Sequence, residues 1–245
     1  MIEHTNDYLL NKTVRLLQPV NGYRASSDAV FLSALVSSVL PKDNILDVGS
    51  GTGAVSLCLA HRYPDTSVTG LEIQPDLVEL SNQSALLNGF SNLRYLQGDL
   101  YQKTHPFAHA SFSHVVTNPP YYDSFQPTSP NPSKALAHNY QEADLEKWLV
   151  YCLKMLKPFG RLYMINRIEN LPRILAVLAD RAGEIRVMPF YSRPNTNAIR
   201  VLLTAQKDSK APLAILPPFF AYGEDSLPSK AAESVLRDGK LFFDH

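Results

Sequence analysis

The chain has 245 residues, 45% of them hydrophobic, and a formal net charge of zero. That length supports one large core, or one core with a small appendage. No apolar run approaches the ~20 residues that span a bilayer, and the opening MIEHTNDYLLNK lacks a basic stretch followed by an apolar one. A cytoplasmic protein without a membrane anchor or secretory signal is therefore expected. Cys58 and Cys152 sit in apolar, helix-like contexts and read as core thiols, with no metal pair expected. Charge is uneven along the chain: residues 1–122 carry 7 Lys/Arg against 10 Asp/Glu, residues 123–210 carry 13 against 8, and residues 211–245 carry 3 against 5. A basic middle block fits a polyanionic partner, although solvated helix faces explain any single residue in it as well.

In chain order, Leu9 to Val20 alternates weakly, as a short hairpin over a ligand pocket would. Gly22-Tyr23-Arg24-Ala25-Ser26-Ser27-Asp28 leads into an apolar helix from Ala29. Ser26, Ser27 or Asp28 can cap it, because their side-chain oxygens accept its unpaired N–H groups. An apolar strand from Ile45 ends at Asp47-Val48. Gly49, Gly51 and Gly53 follow, and a helix runs from there to about Tyr63. Glycines at a strand-to-helix turn let backbone approach a ligand, and the helix N-terminus offers free N–H groups. The spacing is G-x-G-x-G, whereas the dinucleotide fingerprint is G-x-G-x-x-G. Asp47 places negative charge where a diphosphate would lie. It suits instead a ligand with a cationic centre and an amino group, such as S-adenosylmethionine.

A second strand ends at Glu72, placed to accept bonds from two ribose hydroxyls. Pro75 opens a helix that Gly89 stops. The third strand, Leu93 to Leu96, leads to Asp99, which reads equally as an acceptor for an adenine amino group or as a solvated turn residue. The fourth, Phe112 to Thr117, delivers Asn118-Pro119-Pro120-Tyr121. Two prolines remove two backbone donors and fix two φ angles, and Asn118 before them is pushed to an extended conformation. The result is a stiff corner where fixed acceptors stand beside an aromatic ring, suited to a planar group bearing NH2. A Pro-rich turn with a packed tyrosine is the plain alternative. Tyr122 to Pro132 reads as a loop. Beyond it come a helix from about Glu142 to Leu156 with the single Trp148, and a strand from Arg161. Another helix, from Pro172 to about Arg181, is stopped by Gly183. Two antiparallel strands, near 185–188 and 198–205, close the series. Residues 208–245 resemble an appendage with a helix from Ser229 to Leu236.

Strands alternating with helices imply an α/β fold, an open, mostly parallel sheet with helices on both faces. Ligands in such sheets bind at the carboxyl ends of the strands, at the topological switch point. Asp47, Gly49, Glu72, Asp99 and Asn118 all fall at predicted strand ends.

With DVGSGTG, Glu72, Asp99 and NPPY in this order, the sequence resembles the class I S-adenosylmethionine-dependent methyltransferases over about residues 22–205. That resemblance implies a Rossmann-like, seven-stranded sheet with the last strand antiparallel. It implies a methyltransferase domain over 45–207, preceded by a segment (1–44) capping the cofactor site and followed by a C-terminal extension (208–245). NPPY narrows it to enzymes acting on a planar nitrogen. Gly22-Tyr23-Arg24-x-x-Ser27-Asp28, NPPYY, Ala137-His138 before the Trp helix, Arg200-Val-Leu and Asp238-Gly239 are similar to the bacterial valine-tRNA adenine-N6 methyltransferases. A tRNA substrate is then implied, modified beside the anticodon on its 3′ side.

The resemblance assigns roles. Gly49, Gly51 and Gly53 would pass the methionine part of S-adenosylmethionine, with Asp47 near its amino group. Glu72 would hold the ribose, Asp99 the adenine, and Ser27 and Asp28 would close the methionine end. Asn118 and the Pro119 carbonyl would accept the target NH2, while Tyr121 and Tyr122 stack on a base extruded from its own stack. Lys134, Arg193, Arg200 and Lys207 are candidate RNA contacts by position in the basic block. A sulfonium methyl is already activated, so in-line geometry should supply most of the rate and no dedicated base is expected. His114 and His138 are the nearest histidines in sequence. Ribosomal-RNA guanine-N2 and release-factor glutamine methyltransferases share the same motifs, and a non-catalytic cofactor-binding scaffold is a further reading.

Overall fold

The computed structural model describes residues 2–22, 24–102, 106–120 and 143–243. The expected N-terminal hairpin forms from β1 (His4–Leu9) and β2 (Val14–Pro19), paired antiparallel. It docks on the helix α3 (Pro75–Leu87): the Arg15 N–H donates to Asn88 Oδ1 at 2.8 Å and the Leu17 N–H to Ser84 Oγ at 2.9 Å. Helix α1 (Ser27–Leu35) is capped by Ser26, whose Oγ accepts the Asp28 N–H at 3.3 Å. Every residue from Ala29 to Leu35 is buried, so this helix is core on all sides rather than amphipathic.

The main sheet is built on β3 (Asn44–Val48), β4 (Ser67–Glu72), β5 (Leu93–Gln97), β6 (Phe112–Thr117), β7 (Leu156–Arg167), β8 (Ala182–Tyr191) and β9 (Ala198–Lys207). These are the seven expected strands. Two-residue strands β10 (Ala214–Ile215) and β11 (Phe219–Phe220) add to β8 from the C-terminal segment. The order is β10-β8-β9-β7-β6-β3-β4-β5. Strand β9 is antiparallel to both β7 and β8, and the other pairings are parallel. Ile45, Leu46 and Val48 are fully buried, as a parallel strand covered on both faces requires.

Helices α1, α2 (Ala54–Arg62) and α3 line one face of the sheet; α4 (Ala143–Met155) and α5 (Leu171–Leu178) line the other. Cys58 and Cys152 are buried free thiols, as their contexts suggested.

Three details depart from the sequence reading. Strand β7 begins at Leu156, directly after α4, rather than at Arg161. Leu156 pairs with Phe112, and a register shift before His114 absorbs the extra residues. Gly183 does not stop a helix. It lies inside β8, where a Cβ would come 2.6 Å from the Ser209 carbonyl oxygen. Residues 208–243 are not an appendage. Helix α6 (Lys230–Asp238), N-capped by Ser229, packs on α1, and Phe242 and Phe219 join the Phe31 ring in one core. Arg62 ties the two ends of the chain together, donating to the carbonyls of Ser33 at 2.5 Å and Gly239 at 3.1 Å.

Candidate active site

The sheet changes direction of travel between β3 and β6. From β3 the order proceeds to β4 and β5, and from β6 to β7. Their last rung is Val48 opposite Thr117. The glycine turn and the Asn118-Pro119 corner therefore leave the sheet side by side at the switch point, where a crevice opens in this class of fold.

Gly49, Gly51 and Gly53 take φ of +72°, +56° and +85°, the left-handed region that L side chains disfavour. The glycines also answer an internal demand that the sequence reading did not anticipate. A Cβ at Gly49 would come 2.7 Å from two ring carbons of Trp148, and one at Gly53 would strike the Tyr95 ring. Close approach here is first to the protein's own aromatics.

Glu72 holds the turn from β4. Its Oε2 accepts the Gly51 N–H and its Oε1 the Gln74 N–H, both at 2.9 Å. Burial raises its pKa, and these backbone donors pull it back. The Ser81 hydroxyl donates to the Gly51 carbonyl at 3.1 Å. Asp47 is 1% exposed and sits beneath the turn, where it accepts the Ser56 hydroxyl at 2.5 Å. Burial pushes its pKa up to about 7, with the Glu72 charge adding to the rise and the Ser56 bonds opposing it. Two buried hydroxyls inside the turn, Ser50 Oγ and Thr52 Oγ1, have no hydrogen-bond partner among the described residues. Buried orphan hydroxyls are costly unless a ligand completes them. A polar cofactor carrying amino, carboxylate and ribose groups fits that need.

Asp99 follows β5 and accepts the Tyr101 N–H at 2.8 Å, a tight Asx turn that fixes its carboxylate at the same sheet end. Asn118 is half-buried and Pro119 buried. Asp28, at the start of α1, accepts Arg200 Nε at 3.1 Å, and Arg200 stands opposite Arg167 at the carboxyl end of β7. That bond brings the N-terminal segment to the site, joining a residue expected at the cofactor to one expected at RNA. Ser27 is exposed beside it. Arg193 is exposed in the 192–197 connection at the same end. Arg167, which no motif singled out, adds a cation there and lies 3.6 Å from Glu169.

One expectation is corrected. Lys207 ends β9 at the opposite edge of the molecule, where its Nζ donates to the Leu156 carbonyl at 2.7 Å, so it is not beside the crevice. His114 lies at the amino end of β6 and bonds Asp43 Oδ2 at 3.0 Å. It lines a cavity of about 230 Å³ with Ser38, Lys157 and Arg161, at the wrong end of the sheet for a base at Asn118. Burial lowers its pKa, and the Asp43 carboxylate opposes that shift. Tyr121, Tyr122, Lys134 and His138 lie outside the described residues. Among the described residues no cluster of His, Cys, Asp and Glu could hold a metal, and no helix is long and apolar enough to cross a membrane.

What the motifs missed is the support behind them. The Trp148 indole N–H donates to Thr117 Oγ1 at 2.8 Å, and that hydroxyl donates to the Val48 carbonyl at 2.9 Å. A single tryptophan in a helix facing the motif strands was the only available signal.

Comparison with known proteins agrees with this geometry. Residues 26–176 match the family model described as the methyltransferase small domain. A Porphyromonas gingivalis protein named tRNA1(Val) (adenine(37)-N6)-methyltransferase is 29% identical over 179 residues, covering 68% of this chain and 69% of its own. A Vibrio cholerae release factor glutamine methyltransferase is 32% identical over 105 residues, but covers 42% of this chain and 36% of its own. Among solved structures, an Agrobacterium tumefaciens protein described as a predicted O-methyltransferase superposes with a TM-score of 0.74 at 23% identity. It covers 89% of this chain and 98% of its own.

Proposed function

The chain belongs to the methyltransferase small domain family, and from that premise we propose that it methylates N6 of an adenine in tRNA, beside the anticodon of valine tRNA. The observation that carries the reading is the pairing of Val48 with Thr117, which sets the glycine turn next to the Asn118-Pro119 corner. The longer-covering relative, an adenine-N6 enzyme by name, supports the choice of nucleotide.

S-adenosylmethionine supplies a methyl already activated on a sulfonium. Gly49 to Gly53, Asp47, Glu72 and Asp99 would hold it, with Ser50 and Thr52 as further polar partners and Asp28 and Ser27 closing one side. The chain's own work is then positional. Asn118 and the Pro119 carbonyl accept the two N–H bonds of the target amine. Accepting both draws the nitrogen toward tetrahedral geometry and turns its lone pair to the methyl. The proton leaves after transfer, so no side chain need serve as base. Tyr121 and Tyr122 would supply the ring for a flipped base. Arg193, Arg200 and Lys134 would meet phosphates.

The test is methyl transfer from labelled S-adenosylmethionine to total tRNA from a strain lacking the gene, run beside ribosomal RNA and release factors and read by nucleoside mass analysis. N6-methyladenosine in valine tRNA is expected. Label in ribosomal guanine or in protein glutamine would keep the fold and cofactor and replace the substrate. No label, with cofactor bound, would favour a scaffold.

A further inference from the structure

Val48 and Thr117 form the last rung between β3 and β6, and the glycine turn and the Asn118 corner follow it directly. The Gly49 and Ser50 N–H groups go to the Leu71 carbonyl of β4, at 2.8 and 3.0 Å, and the Gly51 N–H goes to Glu72. The turn is thus anchored on the side away from the corner. A side chain also crosses between the two. The Thr117 hydroxyl has a single proton, and it goes to Val48, the residue before Gly49. One of its lone pairs takes the Trp148 indole N–H, which leaves the hydroxyl no other way to point. Thr117 is itself the residue before Asn118.

Trp148 acts on both partners at once. Its N–H fixes the hydroxyl, and its ring occupies the space where any side chain at position 49 would stand, 2.7 Å from a Cβ there. Both residues are closed off from solvent, with Thr117 at 0% and Trp148 at 5% exposure, so water does not compete for these bonds. A packing role alone would be met by any aromatic of similar size. The indole N–H, aimed at a hydroxyl that is itself aimed at the other strand, is what packing does not require.

We propose that Trp148 and Thr117 form a positioning pair that sets the gap between the methyl-donor turn and the acceptor corner. The proposal rests on the methyl-transfer reading above. Neither residue touches the reacting atoms. Their effect belongs on the turnover step, because in-line transfer is sensitive to small displacements while binding of each substrate uses other groups.

The test uses the full chain, S-adenosylmethionine and whichever acceptor the wild type labels, with kcat, KM for each substrate, cofactor affinity by calorimetry and Tm measured together. Thr117→Val keeps the shape and removes the hydroxyl. It should lower kcat by about 10- to 100-fold, with cofactor affinity within about threefold of wild type. Thr117→Ser restores the hydroxyl and should recover most of the turnover. Trp148→Phe keeps an aromatic ring, loses the N–H and should fall between them, which covers the case of a poorly folded Thr117→Val. Wild-type kcat in both Thr117→Val and Trp148→Phe would overturn the pair's role. So would a Thr117→Ser variant as impaired as Thr117→Val, or a loss of cofactor affinity as large as the loss of kcat. A wild type that labels no acceptor removes the methyl-transfer reading itself, and the pair's role with it; that failure shows in the wild type alone.

Discussion

Asn118 stands one residue past the end of β6, followed by two residues that cannot donate a backbone hydrogen bond. In the proposed reaction its role is fixed acceptance, which alanine cannot supply. Asn118→Ala should lower kcat by about 10²- to 10³-fold while cofactor affinity stays within about twofold, measured by single-turnover kinetics and calorimetry. Equal loss of both would place Asn118 on the cofactor side. Asp47 makes a different prediction, about stability. Its carboxyl titrates at 3.8 when unperturbed and at about 7 in the fold, where burial disfavours the charge. Between those values the folded state holds more protons than the unfolded one, so stability falls as pH rises through the window. Glu72 is shifted the same way by burial. Asp47→Asn removes the Asp47 part. The urea-derived stability of the variant relative to wild type should therefore climb from pH ~4 to ~7 and then level off. A difference independent of pH would show that Asp47 is not buried as a titrating acid.

At the level of elements, the glycine turn is held by aromatic side chains from two directions, Trp148 of α4 and Tyr95 of β5. Gly49→Ala would meet the Trp148 ring and also strain a backbone at φ +72°. It should cost about 1–3 kcal/mol in urea unfolding, and a variant as stable as wild type would show that the ring yields freely. The turn and the strand ends were legible in the sequence because each rests on local chemistry: glycine freedom and apolar runs. Helix α3 was legible for the same reason, with Pro75 at its start and Gly89 just past its end. The Trp148 relay was not legible, since nothing local says which hydroxyl an indole 31 residues away will find. Gly183 misled because a glycine after a helical pattern reads as a stop, and only the sheet shows that the Ser209 backbone presses on it. Lys207 misled because the antiparallel course of β9 carries its end away from the crevice, a property of topology rather than of composition.

For the whole molecule, a zero net charge means that binding of the proposed RNA substrate must draw on charge distribution. Arg193, Arg200 and Arg167 gather where β7 and β8 end and β9 begins. Affinity for tRNA should fall steeply with salt, and Arg193→Ala should reduce the slope of log affinity against log salt by about 1. An unchanged slope would remove Arg193 from the interface. The same chain also encloses α1 from both ends of its sequence. Buried on every side, α1 is flanked by α2, made soon after it, and by α6 and Phe242, made only after the sheet is complete. A nascent chain emerging from the ribosome could therefore pair β3 through β7 while one flank of α1 is still bare. Until its last helix arrives, the growing protein carries an open apolar seam, and folding finishes at the helix that was among the first to be made.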